Sequence, residues 1–109
     1  MAIVIVKGDT GTVVRRELID EDGVTVDISS ALAAGRRFYF ISPTGVVKDV
    51  EATYTTDGTD GQLQYIIASS DIDEVGPWRL QVRINVTGTG GFDQSTQTED
   101  WAQVHERLV

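Results

Sequence analysis

The chain has no cysteine among its 109 residues. Disulfides, thiolate metal sites and a cysteine nucleophile are therefore excluded. It has one histidine, His105, with no neighbouring carboxylate pattern that would make a triad or a metal site. Basic residues are scarce: 9 Lys and Arg stand against 17 Asp and Glu, a formal charge of −8. Phosphate binding depends on basic patches, so nucleic acid is not an expected partner. An anionic membrane surface is disfavoured for the same reason. The charge serves solubility or a basic partner surface. No apolar run approaches the ~20 residues of a membrane helix. Met1 to Val6 is apolar but too short for a signal h-region, and it lacks a basic start and a cleavage site.

What the chain does contain reads as strand and turn. Hydrophobic residues make up 40% and glycine numbers 11, enough for a core joined by tight turns. The length fits one domain spanning residues 1–109. The clearest stretch is Trp78 to Val86. Trp78, Leu80, Val82, Ile84 and Val86 alternate with Arg79, Gln81, Arg83 and Asn85. A period of two means a strand with one face in a core and one in water.

Taken in order, Ala2 to Lys7 reads as a β-branched strand, apolar on both faces, and Thr12 to Asp20 as a second with Val14 and Leu18 inward. Glu21-Asp22-Gly23 is a tight reversal. Val24, Val26 and Ile28 alternate in a short third strand. Ser29 to Gly35 has room for one helical turn. Arg36 to Ser42 follows as a strand with Phe38 and Phe40 on one face, Tyr39 and Ile41 on the other. Ser42-Pro43-Thr44-Gly45 is a β-turn. Val46 to Thr55 reads as one long strand with Val50, Ala52 and Tyr54 inward. Gln62 to Ile67 is a strand with Leu63, Tyr65 and Ile67 inward, and Ser69 to Val75 a short capped turn of helix. Gly88 to Thr98 reads as a loop. Trp101 to Val109 is a final strand with Ala102, Val104 and Leu108 on one face, Trp101 and His105 on the other. About eight strands with closely spaced turns predict an all-β antiparallel sandwich of about 7–9 strands.

Chemistry is hard to find. Three acidic groups, Asp20-Glu21-Asp22, Asp57 with Asp60, and Asp71-Asp73-Glu74, lack the calcium-loop pattern, and turn formation explains them without a metal. The serines sit in no nucleophile elbow. Neither glycine-rich stretch ends as a phosphate loop does. No carboxylate pair stands out for glycoside hydrolysis. The expectation is a protein that is not an enzyme and holds no cofactor and no metal. Phe92 sits in a glycine-rich stretch, where it either folds back over the sandwich or meets another chain. Trp101 poses the same choice, because Ala102 and Val104 already supply the inner face of its strand.

Glu74 to Leu80 resembles the corner before strand F of immunoglobulin-like domains. Trp78 stands at the usual tyrosine and Leu80 at the usual cysteine, which predicts loss of the tyrosine hydroxyl bond and the disulfide. Over nearly the whole chain, GDTGTVV, DEDGVTVDIS, FYFISPTGVV, DGTDGQLQY and SSDIDEVGPWRLQVRI follow one another. In order and spacing they resemble the N-terminal immunoglobulin-like domain of the baseplate upper protein family of tailed phages. The matching residues are Asp22, Gly23, Val26, Asp27, Ile28, Ser29, Pro43, Gly45, Asp60, Gly61, Tyr65, Asp71, Gly76, Trp78 and Gln81. The chain ends at Val109, where larger family members continue.

The resemblance implies an immunoglobulin-like β-sandwich and a structural or adaptor role in a phage virion, assembled in the bacterial cytoplasm. Its partners would be other virion proteins, with a homo-oligomer left open. A capsid decoration protein or a receptor- or carbohydrate-binding module is the alternative. The residues expected at a protein interface are Ile3, Ile5, Tyr39, Ile41, Phe92 and Trp101.

Overall fold

The computed structural model describes residues 3–19, 22–68, 70–86, 91–96 and 98–106. Within them lie nine strands: β1 (Ile3–Val6), β2 (Val13–Glu17), β3 (Arg36–Ile41), β4 (Val47–Glu51), β5 (Thr53–Tyr54), β6 (Gln62–Ile66), β7 (Gly76–Val86), β8 (Phe92–Ser95) and β9 (Glu99–His105). The only helical piece among the described residues is a 3-10 turn at Ala33–Gly35. One sheet has the order β1-β9-β7-β3-β4, with β8 also on β7; the other is β2-β6-β5. The order is that of an immunoglobulin-like sandwich. β2, β6 and β5 take the places of strands B, E and D, and β3, β7 and β9 those of C, F and G. One pairing departs from an antiparallel scheme: β1 runs parallel to β9.

The strand with the cleanest alternation is the centre of the larger sheet. Trp78, Leu80, Val82, Ile84 and Val86 are all buried. Leu80 and Val82 lie opposite Phe40 and Phe38 of β3. Val14 and Leu63 complete the core from the second sheet. β7 starts earlier than its apolar pattern does, because Gly76 and Pro77 already pair with β9. Proline is tolerated there, at the first residues of a strand. The expected loss at the corner is made good. The Trp78 indole N–H donates to the Glu74 carbonyl at 2.9 Å, so a tryptophan does the work of the usual tyrosine hydroxyl.

Several expectations are corrected. Val24 to Ile28 forms no strand; a single bridge joins Ile19 to Thr25. The Val26 N–H donates to Leu18 O and the Ile28 N–H to Gly58 O. Gly61 is wedged into this crossing. It has φ +70, and a Cβ on it would lie 2.8 Å from both the Leu18 and the Val26 carbonyl oxygens. Val46 to Thr55 is two strands: β4 pairs with β3, the chain crosses at buried Ala52, and β5 pairs with β6 in the other sheet. Tyr54 thus leaves the Phe38 sheet, and its hydroxyl donates to the Ile28 and Ala31 carbonyls.

The stretch before β7 has no helical turn among its described residues. The Asp71 carboxylate organises it instead, accepting from the Ala68 N–H and the Tyr65 hydroxyl. Part of the expected loop at 88–98 is β8, which pairs along the C-terminal half of β7. Asp20, Glu21, Ser69 and Leu108, named in the sequence reading, lie outside the described residues.

Candidate functional site

The outer face of the larger sheet is lined by charged and aromatic side chains from several neighbouring strands. Arg37, Tyr39 and Ile41 of β3 lie opposite Arg83, Gln81 and Arg79 of β7. The Arg37–Arg83 position sets like charges side by side, which destabilises a ladder unless it is neutralised. Carboxylates from the flanking strands do this. Arg37 Nε donates to Asp49 Oδ1 at 2.7 Å on β4. Arg83 grips Asp93 of β8 with Nε and Nη2, at 3.0 and 2.7 Å. The Arg83 fork holds the Asp93 carboxyl below its usual range, and Asp93, then Tyr39, raise Arg83. Leu32, Ala34, Gly35 and Asn85 join the two arginines around a hollow of about 180 Å³. That is below the ~300–1,000 Å³ of small-molecule pockets.

At the other end the same face mixes apolar and charged side chains. A hollow of about 400 Å³ is lined by Ile41, Ser42, Pro43, Gly45, Pro77, Arg79 and Asp100. The Ser42–Gly45 turn forms as the sequence predicts, with Gly45 N–H donating to Ser42 O at 2.9 Å. Its tip leans on the start of β7: a Cβ on Gly76 would lie 2.9 Å from Pro43. Thr44 Oγ1 donates to Glu74 and Lys48 pairs with Asp73, fastening this turn to the segment before β7.

The six expected interface residues fall into three groups. Ile3 is exposed, and Tyr39 and Ile41 stand half-exposed on the outer face. Ile5 and Trp101 are core residues, 5% and 3% exposed, so neither is available to a partner at the surface. Ile5 lies opposite Val104, whose side chain is inward. Trp101 is turned inward by a register shift between Trp78 and Arg79: Trp78 faces Ala102, but Arg79 faces Asp100. The extra residue is Trp101, whose ring sits 4.8 Å from that of Phe40. Phe92 is half-buried and packs against the core, the first of its two alternatives.

Two of the acidic residues, Asp27 and Asp57, brace turns. Asp27 accepts from the N–H and hydroxyl of Ser29, and Asp57 from those of Thr59. These bonds hold both carboxyls below the usual range. Among the described residues no three His, Asp or Glu side chains gather as metal ligands. Arg79, Asp100 and Pro77 were not singled out by sequence as interface residues, and Pro43 was read only as a turn and motif residue, because a polar strand face and isolated prolines read as ordinary surface.

One group should register in a pH titration. Burial, then the bond to Asp71, pushes the Tyr65 phenol from 10.0 up to about 12. A raised folded-state value stabilises the fold fully below pH 10 and ceases to do so as pH rises through about 12. The urea midpoint of the wild type is expected to fall more steeply over that window than that of Tyr65→Phe. Equal slopes would show that the phenol is not held this way.

The fold is similar to that of a solved structure, the N-terminal domain of phage TP901-1 ORF48. The TM-score is 0.64 at 16% identity, over 95% of this chain and 84% of that one. No protein-family model and no curated protein sequence matches the chain. The chain thus has the fold of the N-terminal domain of a phage protein.

Proposed function

We propose that the protein is a non-enzymatic structural component of a phage virion, an adaptor of the tail or baseplate that acts by burying surface against other virion proteins. The observation that carries this reading is the fold likeness, which extends over nearly the whole chain to a domain of a phage protein. The ordered motifs resembling the baseplate upper protein family support it from the sequence side. The surface is compatible with such a role. The Arg16–Glu99 ion pair ties one sheet to the other, and Arg83–Asp93 ties β7 to β8. A stable contact needs about 800 Å² per partner, which a sheet face supplies more readily than one loop.

The test is mass spectrometry of gradient-purified particles of the phage encoding the chain. Its peptides are expected in stoichiometric amount with tail proteins. Their absence from particles, with the protein present in the infected cell, would overturn the reading.

A further inference from the structure

One end of the larger sheet's outer face carries an uncharged stripe. Val4 of β1 faces Gln103 of β9, and Gln103 faces Pro77 of β7. Pro43, two residues past the end of β3, lines the same hollow as Pro77. Val4 is 70% exposed. The stripe thus crosses four neighbouring elements and carries no charge.

In the next row stand Arg79 and Asp100, opposite one another and both exposed. They do not form an ion pair with each other or with any other described residue. Elsewhere on this face the arginines are neutralised within the chain, Arg37 by Asp49 and Arg83 by Asp93. Arg79 and Asp100 therefore present one cation and one anion side by side, each without an ionic partner among the described residues, next to exposed apolar surface.

We propose that this stripe is the contact surface between two copies of the chain, related by a two-fold axis running between β7 and β9 and parallel to them. In such an isologous contact every interaction occurs twice. β7 of each copy lies over β9 of the other, and β3 over β1. Arg79 of one copy meets Asp100 of its partner, and the reverse pair forms at the same time. In the adjoining row Pro77 lies over Gln103 and Pro43 over Val4. Face-to-face packing of sheets at about 10 Å allows this alignment.

Charge selects the occupant. Each copy carries −8, so most of its surface repels another copy. The stripe has zero net charge and is complementary to its own rotated image, which favours a second copy over a partner of one sign. The inference stands whether or not the chain belongs to a virion.

The test is sedimentation equilibrium of the full chain from micromolar to near-millimolar concentration, with thermal melts to establish that each variant folds. The wild type is expected to form a dimer. Arg79→Asp and Asp100→Arg alone should each weaken it by about tenfold or more, by setting like charges against each other. The double variant Arg79→Asp/Asp100→Arg restores both pairs with their signs exchanged and should recover the dimer. Val4→Asp should weaken it without restoration. A wild type that stays monomeric throughout, or a dimer that both single reversals leave intact, would overturn the proposal. So would a double variant as weak as the singles. None of these results depends on finding the protein in a particle, so this inference and the virion reading fail separately.

Discussion

Val82→Asp is expected to give no soluble protein that melts cooperatively. Val82 is 1% exposed and sits at the middle of the central strand, opposite Phe38. Its backbone is fixed on the other side as well: its carbonyl accepts from the Thr96 N–H at 2.8 Å, and its N–H donates to Thr96 Oγ1 at 3.0 Å. The strand cannot rotate to expose a new side chain without breaking pairings on both edges. A carboxylate placed there is either ionised without a partner or protonated without an acceptor. Either state costs several kcal/mol. A domain of this size has roughly 5–15 kcal/mol in all. Solubility on expression and a circular dichroism melt check this. A soluble variant melting cooperatively within a few degrees of the wild type would contradict the placement of β7.

Trp101→Ala should be the next most damaging change, with a loss of about 3–5 kcal/mol in urea denaturation. The indole is 3% exposed and packs on Phe40, which in turn lies 5.8 Å from the Tyr65 ring of the opposite sheet. Removing it opens a cavity beside the Phe40 ring. Stability close to the wild type, with only association altered, would return Trp101 to the surface where its sequence position first suggested it.

That residue shows where sequence reading stops. Along β7 the two faces differ at every position, so the alternation alone located the strand and its buried side. β9 would have been as legible but for one inserted residue. A bulge shifts the parity of everything after it. Trp101 and Ala102 are consecutive and both buried, a pattern that simple alternation forbids. The break at Ala52 was hidden for the opposite reason. Val50, Ala52 and Tyr54 keep the alternation of one continuous strand while the chain passes from one sheet to the other. β8 gave no signal because Phe92–Ser95 has a single apolar side chain, and its pairing with β7 is made by backbone.

The candidate surface was partly legible. Tyr39, Ile41 and Ile3 were picked out by the two-sided apolar character of their strands, and of these Tyr39 and Ile41 share the outer face. The Arg83–Asp93 pair and the Arg79–Asp100 juxtaposition were not, since each joins residues that only the sheet register brings together. Ile5 shares the β-branched composition of exposed Ile3 and Val4; the pleat turns Val4 to the opposite face, while Ile3, on the same face as Ile5, is exposed at the start of the strand.

The most direct measurement is a cryo-EM reconstruction of the intact particle. The predicted result is density at the tail or baseplate fitted by this sandwich, with the outer face of the β7 sheet buried against another chain. A tail and baseplate fully accounted for by other proteins, with no density of this shape, would contradict the structural role.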